Sequence, residues 1–446
     1  MKKVIVLLCL FLLLGGCSKE VVEEVNKEFE NTHYIVFDGN SVMLDDKSIN
    51  EYDYAWHLDR DREDEYYTGD EPKDEIYLAH DIIYYPEIDE SEFSKEEYDG
   101  EIEWVCHYTS DELKGYIFST LPVLGENVPT EMMHSSEEAY NNPVLHINKA
   151  GDYVLSGEFK GQIYIDLGED AFNDESKKVT LILNGLDIAC DVAPAIVFRN
   201  VYECDNTWEE RETYSDEVDL SNAGARIVLV DGAENSVTGA NVYRMLKPTY
   251  KKEGSTVQKK RYKTDGALYS YMSMLVSGDT GILNITSTTY EGLDSELHMT
   301  IDGGYINIVS NDDGINVNED NVSVFTMNDG RLTIFAGQGY EGDVIDSNGY
   351  IRINGGTLLL STPSIPDDAL DSEDGTYVSD KAKVITTGAS KNNMGGMPTP
   401  GGDMRPGENF DPNNMPEGFD PNNRPEDFDP DNRPEGMMDP PEKPQW

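Results

Sequence analysis

Acidic side chains recur through residues 265–375 at matched places around a single apolar residue. Glu291 and Asp294 flank Leu293, and Asp312, Asp313 and Asn316 surround Ile315. Asp343 and Asp346 flank Ile345, and Asp367, Asp368 and Asp371 surround Leu370. Carboxylates held close together repel unless a cation neutralises them. Calcium takes six to eight oxygens from carboxylates, amide oxygens, backbone carbonyls and water. Calcium is therefore the cofactor these residues suit, and all ten positions are candidate ligands. No EF-hand pattern is present, so a site must be assembled from separate segments. The competing explanation is that Asp and Asn favour turns and solubility. It accounts less well for the return of acids at the same positions.

Catalysis is harder to build. A lyase acting on a uronate polymer needs Lys or Arg near the calcium to abstract the acidified proton. No lysine occurs between Asp265 and Asp380, and the only other basic residues there are Arg331, Arg352 and His298. A hydrolase needs a matched acid and carboxylate, but acids are so abundant here that any pair could be chosen. Binding demands less. Tyr269, Tyr290, Tyr305, Tyr340 and Tyr350 (with Tyr271 beside them) lie among the acidic groups and could stack on sugar rings. Each could equally be there for packing or strand propensity.

The elements that must position these residues are short strands. Thr300–Ile308, Thr326–Ile334 and Arg352–Leu360 align without gaps, each starting 26 residues after the last, as strand, Gly turn, strand. A second pattern interleaves with it: GALYS from Gly266, EGLDS from Glu291, DGINV from Asp313, DVIDS from Asp343 and DALDS from Asp368. Those starts lie 25, 22, 30 and 25 residues apart, and the middle Leu or Ile points inward in each. Three short strands in each period of about twenty-five residues predict an all-β, right-handed parallel β-helix. Stacking would then set successive acidic corners ~5 Å apart. A β-sandwich would not repeat its sequence, and a leucine-rich repeat would carry more Leu at a stricter spacing. From about 143, VLHINKAGDYVLSGEF and KKVTLILNGLDIAC alternate apolar and polar residues and extend the solenoid. Residues 201–222 and 243–263 read as polar insertions.

The flanks differ. Residues 1–16 have a basic start, an apolar run and then Leu14-Gly15-Gly16-Cys17, the pattern of a lipoprotein signal ending in a lipobox. Lipidation of Cys17 is expected. It would anchor the chain by acyl groups to the extracytoplasmic face of a bacterial membrane, with residues 17–34 as a tether. Residues 35–142 are acidic and Tyr-rich and read as a strand-containing extension or a solvated spacer. Residues 391–446 repeat Phe-Asp-Pro every nine residues from Phe410 and read as a flexible Pro-rich tail. Apart from Cys9 and Cys17, only Cys106, Cys190 and Cys204 remain, an odd number that forms no complete disulfide framework. Cys190 and Cys204 could pair.

With 34 Lys+Arg against 87 Asp+Glu, the formal net charge is -53. A polyanion of this kind is repelled by nucleic acid and by anionic membrane surfaces. An anionic glycan would be repelled as well unless calcium bridged it to the protein.

The segments GDYVLSG, VTLILNGLDI, APAIVF, DGALYS, EGLDSELHMTIDGGYINI, NDDGINVNED and EGDVIDSNGYIRINGGT, spread over 143–390, resemble a known family. It comprises bacterial surface carbohydrate-binding proteins with a calcium-binding, pectate-lyase-like right-handed β-helix. The resemblance implies binding of cellulosic or pectic polysaccharide without cleavage. It also implies calcium at the acidic corners, with Asp367, Asp368 and Asp371, and Asp346 on the rung before, similar to the calcium corner of a related lyase family. The long N-terminal region departs from the shortest members. The expectation is thus a monomeric, lipid-anchored, non-catalytic polysaccharide binder. Two alternatives are a calcium-dependent lyase, which an unsaturated product would reveal, and a spacer or adhesin, which a glycan pull-down would separate.

Overall fold

The structure is a computed structural model. It describes residues 32–39, 41–59, 64–84, 93–98, 101–106, 117–118, 134–205, 215–242, 264–338, 342–362 and 368–387. Cys17, Tyr340, Asp367 and the tail from 391 lie outside the described residues. Among those described, no helix is long and apolar enough to cross a membrane.

Three parallel ladders wind around one apolar core. The first ladder stacks Val144–Ile147, Gln162–Asp166, Ile196–Asn200, Gly266–Ser270, Glu291–Ser295, Ile315–Val317, Ile345–Ser347 and Asp371–Ser372. Each strand pairs parallel with the next. The second and third ladders begin as two halves of the long strands Gly151–Lys160 and Val179–Ala189. They then separate. Ala225–Leu229 stacks on the first half of Val179–Ala189, and Glu234–Gly239 stacks on its second half. From there each turn of chain adds one strand to each ladder, ending at Gly375–Val378 and Lys383–Thr387. The expected parallel β-helix is the fold observed.

Alternation along each strand dictates which side chains face inward. In the first ladder the inward column is Leu145, Ile163, Ile196, Leu268, Leu293, Ile315 and Ile345, in direct register. All seven are fully buried. Leu181, Ile227, Val276, Ile301, Met327 and Ile353 form the matching column of the second ladder. Val237, Ile285, Ile308, Ile334 and Leu360 form that of the third. A single rung has no facing layer of its own, so burial depends on its neighbours.

Glycine enforces two of the corners. Gly304, Gly330 and Gly356 have φ of 84°, 93° and 81° at equivalent places between the second and third ladders. L-residues with a Cβ resist that left-handed conformation. Beside them Asn328 donates to Asp302 at 2.6 Å and Asn354 donates to Asn328 at 2.8 Å, tying three rungs together outside the core. The second corner is set by space rather than by φ. A Cβ on Gly314 would lie 2.2 Å from Ile334 Cγ2 and 2.6 Å from the Val344 carbonyl oxygen. Gly314→Ala should therefore cost about 1–3 kcal/mol through overpacking. Chemical denaturation of the variant checks this, and an unchanged midpoint would remove the close-packing account.

The N-terminal region is built into the solenoid rather than appended to it. His33–Asp38 adds a parallel strand to Gly151–Lys160. Ile76–His80 adds an antiparallel strand to Val144–Ile147, and Glu51–Asp59 and Asp64–Thr68 continue that sheet. Ile35, Phe37, Trp56, Ile82 and Tyr84 join the same core as the rungs. The physical reason is the open end of the first rung, where unpaired edge groups and an exposed core cross-section need a cover. Cys190 and Cys204 are free thiols, not a disulfide. Burial pushes the Cys190 thiol up to about 12.

Candidate functional site

The outward column of the first ladder carries the chemistry. Its positions, in register, are Tyr77, His146, Tyr164, Val197, Tyr269, Asp294, Asn316, Asp346 and Asp371. One face of the molecule therefore changes from aromatic at its N-terminal end to acidic at its C-terminal end. Nine positions at ~4.8 Å span about 38 Å.

At the acidic end, carboxylate oxygens of Asp343, Asp346 and Asp371 all lie within 4.8 Å of one another. All three residues are half-buried. Asp346 and Asp371 are register partners, and Asp343 sits at the turn just before Asp346. The backbone fixes this turn rung by rung. The Asp343 N–H donates to Asp313 Oδ1 at 2.7 Å, and the Asp368 N–H donates to Asp343 Oδ1 at 2.6 Å. Asn316, the register partner of Asp346, is buried, and its Oδ1 has no hydrogen-bond partner among the described residues.

The electrostatics agree with the crowding. The Asp346 carboxyl is pushed up to about 7, first by burial and then by Asp343 and Asp371. Asp313 is pushed well above the usual carboxylate range by burial, and then by Asp312, Asp346, Glu291 and Asp343. A hard dication would reverse both penalties by stabilising the ionised forms. The three converging carboxylates form an all-oxygen donor set, with the Asn316 amide on the adjacent rung, and oxygen donors fit calcium.

The other sequence candidates fall elsewhere. Asp294 accepts from Asn318 Nδ2 at 2.7 Å, and Glu291 is buried on the same strand, two rungs before Asp346. Asp312, Asp313 and Asp368 adjoin the three-acid cluster but are not drawn into it among the described residues. Tyr269 and Tyr350 are buried, a correction to their reading as sugar platforms. The Tyr269 hydroxyl donates to Glu296 and its ring packs against Tyr271. Tyr350 packs its ring against Gly375 on the second ladder. Tyr290 is half-buried. Tyr305 is 41% exposed, but it lies on the third ladder, away from the acids.

The aromatic end was not read from the sequence. Tyr77 stacks on His146 with ring centroids 4.5 Å apart, and His146 meets Tyr164 edge-on at 5.7 Å. Arg199 lies 3.9 Å over the Tyr271 ring. The signal was present in the middle residues of IYL, LHI and IYI, but they align only once the register of the N-terminal strand is known.

Among the described residues, the three basic groups of the repeat region lie off the acidic end of the first ladder. Arg331 is on the third ladder, and Arg352 is on the second. Arg352 pairs with Asp216 and Glu217 and stacks on Tyr377. His298 is fully buried. Its Nδ1 accepts from the Val324 N–H at 3.0 Å, so Nε2 carries the proton toward Asp205 at 3.1 Å.

Residues 211–413 match a family model described as carbohydrate-binding domain-containing protein. No curated protein matches the chain. Among solved structures, the chain is similar to the polysaccharide lyase-like protein from C. thermocellum, in its gadolinium derivative, at 20% identity and a TM-score of 0.35. That likeness covers 56% of this chain and 88% of the other. The architecture described above rests on the strand pairings themselves.

Proposed function

We propose that this chain is a lipid-anchored, extracytoplasmic bacterial protein that binds cellulosic or pectic polysaccharide along the outward face of its first ladder, without cleaving it. The observation that carries the reading is the outward column itself. Aromatic and acidic groups stand in register at the two ends of that column, about 38 Å apart, with Val197, Tyr269, Asp294 and Asn316 buried between them, so a chain would engage the two ends. The match of residues 211–413 to a carbohydrate-binding family supports the same reading.

Calcium belongs to the proposal at the acidic end. Asp343, Asp346, Asp371 and Asn316 Oδ1 would hold it. A bound ion would leave open positions for the carboxylates of a uronate chain, which the net charge of -53 would otherwise repel. Among the described residues, no base stands beside the acidic end, which argues against cleavage. Arg331 and Arg352 face away on other ladders, and His298 has both ring nitrogens engaged. Arg199 is four rungs from Asp346, ~19 Å along the ladder.

The test is co-sedimentation of the mature protein with insoluble cellulose and with immobilised polygalacturonate, each in calcium and in EDTA. The supernatant is assayed for unsaturated product. Retention on at least one polymer without product is expected. Accumulating product would replace binding by a lyase, and retention on neither polymer would favour a spacer or adhesin.

A further inference from the structure

We propose that the aromatic end of the first ladder is a separate glycan seat, specific for an uncharged chain and independent of calcium. The inference rests on the polysaccharide-binding reading and assigns a substrate class to one part of the face. The seat is a groove of about 760 Å³ built jointly by the N-terminal cover and the first rungs.

Its floor is the in-register run Tyr77, His146 and Tyr164. One wall comes from Tyr54 and Tyr67, whose rings stack 5.0 Å apart and only 6° from parallel. The far wall is Tyr271 with Arg199 above it. Tyr77 and His146 stack on each other, as do Tyr54 and Tyr67, so the ring surface left to the apolar face of a pyranose is that of exposed Tyr67 and half-buried Tyr164. Tyr67 is 46% exposed, so part of this surface is open to a ligand.

Charge selects the occupant. Among the described residues, Asp81, Asp166, Glu296 and Glu319 line the groove against one guanidinium, that of Arg199. Arg199 is already engaged with the Tyr271 ring. A uronate entering here would meet net negative charge. Neutral sugar hydroxyls would instead donate to those carboxylates, the usual division of labour in a site with apolar walls and few polar groups. Asp81 is also held in place, because His146 Nε2 lies 2.8 Å from its Oδ1. The three-acid cluster is five rungs from Tyr164, ~24 Å away along the ladder. A cation bound there is therefore ~24 Å from a sugar stacked on Tyr164, although the groove's far end, at Glu319, comes within one rung of the cluster.

The experiment is calorimetric titration of the full chain, in EDTA, with neutral gluco-, xylo- and mannohexaose and with hexagalacturonate. It is repeated for Tyr164→Ala and for Tyr67→Ala. Tyr67→Ala alters an exposed side chain and so guards against misfolding as the cause of any loss. In parallel, calcium-dependent retention on polygalacturonate is measured for all three proteins. Wild-type protein should bind at least one neutral hexaose in EDTA and bind hexagalacturonate more weakly. Both variants should lose about tenfold or more in affinity for the neutral chain, with calcium-dependent retention unchanged. Neutral binding equal in wild type and variants would overturn the groove and leave the polysaccharide reading intact. Preference for hexagalacturonate in EDTA would overturn the charge argument. No carbohydrate binding by wild type under any condition would overturn both.

Discussion

Calcium added to chelator-treated protein should raise its melting temperature, and the double substitution Asp346→Ala with Asp371→Ala should abolish the rise. Free calcium at a hundred times its dissociation constant stabilises the folded state by about 2.7 kcal/mol. For a body of this size that corresponds to roughly 5–10 °C. The effect is expected to be large because the ion would act where the protein is most frustrated. Asp346 lies between Asp343 and Asp371, with burial and both neighbours opposing its ionisation. Asn316 offers a buried oxygen with no hydrogen-bond partner among the described residues. Asp302, which anchors the Asn328 and Asn354 corner instead, supplies the control. Asp302→Asn should leave the calcium-induced rise in place. An equal rise in the double variant would move the ion away from these three acids.

In EDTA the protein should lose stability as pH rises from about 4 to about 7. The sign follows from Asp346, whose folded-state value of about 7 stands above its ordinary value of 3.8. Between those two values the folded state holds a proton that the unfolded state has released, so stability falls with rising pH. The loss is complete above about pH 7. It amounts to at most about 4 kcal/mol from this group. Asp313 is shifted in the same direction. Asp45, Asp74 and Asp174 are held below their ordinary values by hydrogen bonds. Their stabilisation is lost only at lower pH, as it falls through their folded values. General repulsion among the 87 acids also grows with pH. The diagnostic is therefore the difference between proteins: Asp346→Asn should be more stable than wild type at pH 8 in EDTA and should flatten the slope. Denaturant titrations at pH 5 and pH 8 measure it. An Asn variant that follows the wild-type curve would show that Asp346 is not the strained group.

The repeat region was legible in the sequence because its physics is local and periodic. Thr300, Thr326 and Arg352 are register partners, as their 26-residue spacing implies. Leu268, Leu293, Ile315, Ile345 and Leu370 face inward as expected. The recurrence of acids also survived as geometry, since Asp294, Asn316, Asp346 and Asp371 share one column. Which acids converge was not legible. Glu291 and Asp294 carry the same local pattern as Asp343 and Asp346, but Asn318 already hydrogen-bonds Asp294. Sequence spacing also does not tell a half-buried carboxylate from a buried one.

The N-terminal contribution escaped for a different reason. The pairing of Ile76–His80 with Val144–Ile147, extended by Glu51–Asp59 and Asp64–Thr68, joins segments far apart in sequence and repeats nothing. Without that pairing Tyr54, Tyr67 and Tyr77 read as members of an acidic spacer, and the groove has no floor or wall. The tyrosines chosen from the repeat region failed in part because strand position outranks residue type. Tyr269 stands in the outward column yet is fully buried, with its hydroxyl donating to Glu296.

The most direct test of polysaccharide binding along the first ladder is calorimetric titration of the mature protein with soluble polygalacturonate and with a soluble cellulose derivative, in calcium and after chelation. The account predicts saturable heat with the uronate polymer only in calcium, and with the neutral polymer in both conditions. Absence of heat with both polymers, from protein whose fold is intact by circular dichroism, would contradict it.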